Sequence, residues 1–168
     1  MLPAAVATGL ATVTVTSASG ATSSGTVQIA RVAPGLFAIN TANVAAATAI
    51  RVNPDSSQSQ VTVFQCGLTA DSCVPAAMDL SKGPVYLTLY GTGIRNRSAL
   101  ANVRAAIGGV DSPALFAGAQ GVFPALDQVN IQVPDSLRGR GTVSIVLTVD
   151  GQSTNPVTVI RIWSRCWY

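Results

Sequence analysis

The groups able to do chemistry in this chain are few and one-sided. All seven acids are aspartates, at positions 55, 71, 79, 111, 127, 135 and 150. Nine of the ten basic residues are arginines, Lys82 is the one lysine, and histidine is absent. Ser/His/Asp and Cys/His nucleophile systems need an imidazole base, so both are excluded. Ser81 beside Lys82 has the residue types of a Ser–Lys dyad, but neighbours on an extended segment face opposite ways. A solvated loop accounts for Lys82 more simply. No two aspartates lie closer than eight residues apart, so no local carboxylate pair exists for acid–base or glycosidic chemistry.

Two kinds of site remain open. Calcium takes about six to eight oxygen ligands. Asp127 with Asn130, and Asp111, are the candidates to hold it, although no EF-hand spacing is present. The competing expectation for Asp127 is a structural cap whose carboxylate accepts loop N–H bonds. Arg95-Asn96-Arg97 and Arg138-Gly139-Arg140 are two short basic turns. Together they would make an edge for anionic ligands; apart they are solvated loops. Gly91-Thr92-Gly93 lacks the following helix and the Gly-Lys-Ser/Thr of a phosphate loop and reads as a turn. Nucleic acid is not an expected partner.

Cys66 and Cys73 bracket a turn-rich stretch, and a hairpin loop of that length brings two cysteines within disulfide range. Closing such a loop stabilises by roughly 2.5 kcal/mol on the chain-entropy argument. The alternative is a pair of buried thiols. Cys166 is left over and is a candidate for pairing with a second copy. Three cysteines without histidine make zinc a poor fit.

The elements that would position these groups are strands. Charged residues make up 10% of the chain, against about 25% in ordinary soluble domains. Val, Thr and Ile dominate, and they favour strands. Residues 11–16 and 26–30 alternate with period two and read as a hairpin. Residues 46–52 and 60–65 read as a second, around the turn chemistry of Asn53-Pro54-Asp55. Runs at 85–90, 103–107, 114–117 and 127–133 follow. Residues 142–149 and 157–162 close the set across Asp150-Gly151. About ten short strands with regular turns predict an all-β, immunoglobulin-like sandwich. No apolar run reaches the roughly 18 residues of a membrane span. The first charge is Arg31, so no basic leader of a signal peptide is read in this chain.

Gly9–Ile29 and Gly141–Ile160 share a strand, a small-residue turn and a strand, each after a proline. This internal repeat predicts three parts. Residues 1–33 form the closing hairpin of a truncated preceding unit, 34–162 the sandwich, and 163–168 an irregular tail.

A set of motifs runs through these parts. Its first half is Val32-Ala33-Pro34-Gly35-Leu36-Phe37, Phe64-Gln65-Cys66 to Ser72-Cys73, and Tyr90-Gly91-Thr92-Gly93-Ile94-Arg95. Its second half is Ile107-Gly108-Gly109, Ala117 to Gly121, Leu126 to Asn130, Gly139-Arg140-Gly141 and Val149-Asp150-Gly151. Over residues 3–162 the chain resembles the C-terminal domain family of large exported proteins of Solibacter and other acidobacteria. More distantly it is similar to IPT/TIG immunoglobulin-like domains. The resemblance implies an exported, tandem β-sandwich module to which no biochemical activity is attached. The expected function is therefore a non-catalytic spacer, adhesion or ligand-presenting module of a surface protein. Its partners would be a cell-surface polymer or neighbouring domains. The alternative is a small calcium-dependent hydrolase of esters or lactones, in which a metal-bound water replaces the missing imidazole.

Overall fold

The computed structural model describes residues 6–162. Contacts divide the chain into two units, Met1–Arg31 and Val32–Tyr168; the sequence reading placed the break after residue 33. The first unit holds β1 (Gly9–Thr16) and β2 (Thr22–Ile29), an antiparallel hairpin in full register from Gly9–Ile29 to Thr16–Thr22. Its period-two alternation predicts a half-buried pair. Instead no residue of either strand is buried, and Leu10 is 76% exposed.

Among its described residues the second unit is all β apart from four single 3-10 turns, at Ala70–Ser72, Leu80–Lys82, Leu100–Asn102 and Asp135–Leu137. Its strands are β3 (Gly35–Leu36), β4 (Ala47–Val52), β5 (Gln58–Val61), β6 (Phe64–Gln65), β7 (Val74–Pro75), β8 (Ala77–Met78) and β9 (Val85–Thr92). They continue with β10 (Val103–Ile107), β11 (Val110–Ala119), β12 (Asp127–Gln132), β13 (Gly141–Val149), β14 (Gln152–Ser153) and β15 (Val157–Ile162). No helix among the described residues is long and apolar enough to cross a membrane.

One path of neighbours, β5-β4-β9-β12-β11-β10-β13-β15-β8, carries the main sheet, with β3 beside β9 and β14 beside β13; β6 and β7 pair separately. The path folds into a sandwich because β11 changes sheets partway along. Its first half pairs with β10 as far as Pro113, and from Ala114 it pairs with β12. Pro113 has no N–H to extend the first ladder. The register shift between Ala114 and Phe116 is a bulge that bends the strand. The Ser112 hydroxyl donates to the Gln132 carbonyl at 2.8 Å and stitches the corner. The strand expected at 114–117 is therefore longer, running from Val110 to Ala119.

Alternation then does the rest. Val85, Leu87 and Leu89 of β9, with Val129 and Ile131 of β12, point inward from one sheet. Val103, Ala105 and Ile107 of β10, with Ile145, Leu147 and Val149 of β13, point inward from the other. All belong to one buried cluster. Apolar burial at about 25 cal/mol per Å² makes this cluster the main source of stability.

The two ends of the path, β5 and β8, do not pair with each other. Residues 62–76 run between them. The short β6–β7 ladder and the bond between Cys66 and Cys73 hold this segment in shape. Asn40 donates through Nδ2 to the Cys73 carbonyl at 2.8 Å, tying it to the sandwich. The expected cysteine pairing is therefore present. Reduction, or a C66S/C73S double change, is expected to lower unfolding free energy by roughly 2.5 kcal/mol. Denaturant titration with and without a reductant checks this. Cys166, expected to pair between copies, lies outside the described residues, as does the tail from 163 to 168.

Candidate functional site

Where the sheet path fails to close, a cleft of about 530 Å³ opens between β4–β5 on one side and β8–β15 on the other. Three cations reach it from three separate elements. Arg51 comes from β4, Lys82 from the end of the Leu80–Lys82 turn, and Arg161 from β15. Arg51 stands opposite Ser59 of β5 and Val85 of β9, and Arg161 opposite Ala77 of β8. Gln60, Thr62 and Gln65 add amide and hydroxyl groups to the wall, and Asp79 is the one acid lining it.

Local chemistry explains each placement. Asp79 caps the turn that presents Lys82: its Oδ1 accepts from the Ser81 N–H at 2.8 Å and from the Ser81 hydroxyl at 2.7 Å. Gly83 follows at φ 133°, and a Cβ there would overlap the Val52 carbonyl oxygen. Only glycine lets the chain after Lys82 lie directly against β4, where Val52 N–H donates to the Pro84 carbonyl at 3.0 Å. Arg51 donates through Nη2 to the Asp79 carbonyl at 2.6 Å, while its Nε is buried with no acceptor. Lys82 and Arg161 make no ion pair among the described residues.

None of these three was a candidate in the sequence reading. A lysine in a loop and two arginines inside strands share no local motif. Charged residues on outermost or near-outermost strands are a legible signal, but which strands are outermost depends on pairing.

The expected calcium ligands do not converge. Asp127 opens β12, opposite Gly91 of β9. It is 1% exposed, and both oxygens are in use. Oδ2 accepts from the N–H groups of Ile94 at 2.7 Å and Arg95 at 3.1 Å, and Oδ1 from Arg95 Nε at 2.6 Å. This is the capping role. Asn130 lies mid-strand, opposite Phe116 and Thr88, with its Oδ1 facing the Gln128 amide at 3.5 Å. Asp111 lies at the other end of β12, beside the Ser112–Gln132 stitch, so roughly 15–20 Å of strand separates it from Asp127. It is hydrogen-bonded to Arg104 through both guanidinium Nε and Nη2. Among the described residues no group of three or more His, Cys, Asp or Glu is placed to hold a metal ion.

The basic turns also separate. Arg95 is engaged with Asp127 and the Leu126 carbonyl. The Arg97 guanidinium lies over Gly118, with its Nε buried and without an acceptor. Arg138 and Arg140 follow the opposite end of β12, where Arg138 pairs with Asp135 at 3.2 Å. The four arginines do not form one edge.

The Arg104–Asp111 pair has a pH consequence. The hydrogen bond from Arg104 holds the Asp111 carboxyl below its ordinary range. A lowered folded-state pKa contributes stability above the unfolded value and loses it as pH falls through the folded one. D111N is expected to flatten the acid limb of the stability–pH curve slightly, as an exposed pair allows. Thermal unfolding between neutral and strongly acidic pH checks it.

The class that fold and cleft together define is an all-β sandwich with a basic seam. Comparison with family models, curated proteins and solved structures gives no match.

Proposed function

We propose that this chain is a non-catalytic, ligand-presenting module of an exported multi-module protein. The observation that carries the reading is the use of its carboxylates. Six of the seven aspartates accept side-chain hydrogen bonds that cap turns or pair arginines: Asp55, Asp79, Asp111, Asp127, Asp135 and Asp150. In a chain without histidine these are the main candidates for general base, and each already accepts at least one structural hydrogen bond. The exposed β1–β2 hairpin supports a tandem setting. An isolated two-stranded hairpin is marginal in water, and this one matches β13–β15 in pattern, so it is suited to close a preceding unit. The resemblance to acidobacterial exported domains points the same way.

The test is an assay of ester and acyl-lactone hydrolysis with calcium and with chelator, beside a calcium titration followed by thermal unfolding. The module reading expects no chelator-sensitive turnover and no calcium-dependent shift in unfolding. Turnover abolished by D127N or D111N under conditions where the variant stays folded would overturn it in favour of the hydrolase.

A further inference from the structure

We propose that the seam cleft binds an acidic polysaccharide, with its sugar carboxylates held by Arg51, Lys82 and Arg161. The proposal rests on the module reading above and names its ligand. Three like charges from three elements share one cleft with a single acid, whose Oδ1 is already given to Ser81. Such an arrangement repels itself unless an anion enters, and a cleft lined by one sign of charge concentrates counter-charged ligands. Folding does not need the arrangement: Lys82 and Arg161 form no ion pair among the described residues. Arg51 makes one hydrogen bond, to a carbonyl, and leaves Nε unanswered. Guanidinium groups favour carboxylates, with charge-assisted bonds about twice as strong as neutral ones.

The rest of the lining points to a sugar chain. Gln60, Thr62 and Gln65 offer amide and hydroxyl partners to ring hydroxyls, and among the described residues no aromatic ring lines the cleft. Stacking of nucleobases has no platform there. Three cations also fall short of the track that duplex nucleic acid needs. The apolar part of the lining is small and aliphatic, from Val61, Val74, Pro75, Ala76 and Ala77, and poly-glutamate in the test below separates an acidic peptide from a sugar chain.

The experiment uses the full chain and calorimetric titration at low salt. The probes are polygalacturonate, dextran sulfate, neutral dextran, poly-glutamate and duplex DNA. Polygalacturonate is expected to bind and neutral dextran not. A K82Q/R161Q double variant is expected to weaken binding about tenfold or more, corresponding to about 1.4 kcal/mol. Neither residue forms an ion pair among the described residues, so the unfolding temperature is expected to stay unchanged. R104Q, whose guanidinium pairs with Asp111 outside the cleft lining, should bind as the parent does. Dextran sulfate binding alongside polygalacturonate, and lost in the same variant, also supports the site. The proposal is overturned if polygalacturonate does not bind, or binds the double variant as tightly as the parent. It is equally overturned if dextran sulfate, poly-glutamate or DNA binds the cleft in its place. None of those results touches the module reading, which fails only on turnover.

Discussion

Asp127→Ala is expected to lower unfolding free energy by about 3–5 kcal/mol, mainly the cost of leaving the backbone donors that its carboxylate caps unmet. Asp127 is almost wholly buried and answers three donors: the N–H groups of Ile94 and Arg95, and Arg95 Nε. Alanine leaves the two backbone donors without a carboxylate in a turn that closes β9 onto β12, and each unmet buried donor costs about 1–3 kcal/mol. The Arg95 side chain is partly exposed and regains water, so its loss is the smaller part. Asp127→Asn keeps one oxygen for the backbone and should cost clearly less. A double-mutant cycle with Arg95→Ala separates the ion pair from the cap. If D127A unfolds at the same denaturant concentration as the parent, the cap assignment is wrong. A calcium-induced rise in stability that D127A removes would also show that the carboxylate serves a metal.

The same turn contains the second large effect. Gly93 has φ 74°, and a Cβ there would overlap the carbonyl oxygen of Ala33. Ala33 N–H donates to the Gly93 carbonyl at 3.1 Å, so the two segments cannot separate without losing that bond. Gly93→Ala therefore adds left-handed strain, of order 1–3 kcal/mol, to a backbone clash of about the same size. We expect a loss of about 3–5 kcal/mol, measured by denaturant titration, with β-sheet circular dichroism retained under native conditions. An unchanged midpoint would mean that residues 32–34 do not lie against the Gly91–Arg95 turn. Although the spacing of Gly91 and Gly93 invites comparison with phosphate loops, sterics account for Gly93 completely.

Much of the strand content was open to reading in one dimension. Period-two alternation in residues 85–90, 103–107 and 142–149 depends only on neighbouring side chains, and burial follows it residue by residue. The Asn53–Ser57 loop and the Gly108-Gly109 and Asp150-Gly151 turns were legible because turn chemistry is local. The Cys66–Cys73 pairing was legible because eight residues bound its reach. The β1–β2 hairpin is the counter-case. Its pattern is amphipathic, but alternation says which face could be buried, not whether anything covers it.

Positions far apart in the chain were a different matter. Arg51, Lys82 and Arg161 carry no shared motif. They meet because β4 and β15 approach the two ends of a sheet path that does not close. That outcome depends on Pro113 and the bulge after Ala114 turning β11 from one sheet to the other. Conversely, Asp111, Asp127 and Asn130 looked like a set by residue type, and antiparallel pairing put the two aspartates at opposite ends of β12.

The linear chain by itself determined the longer alternating strands, the short reach of Cys66 to Cys73 and the lack of an imidazole base, since each follows from short-range sterics or plain composition. Only the tertiary structure decided which charges share a surface, because that depends on register and edge order, and these are chosen by contacts between residues tens of positions apart.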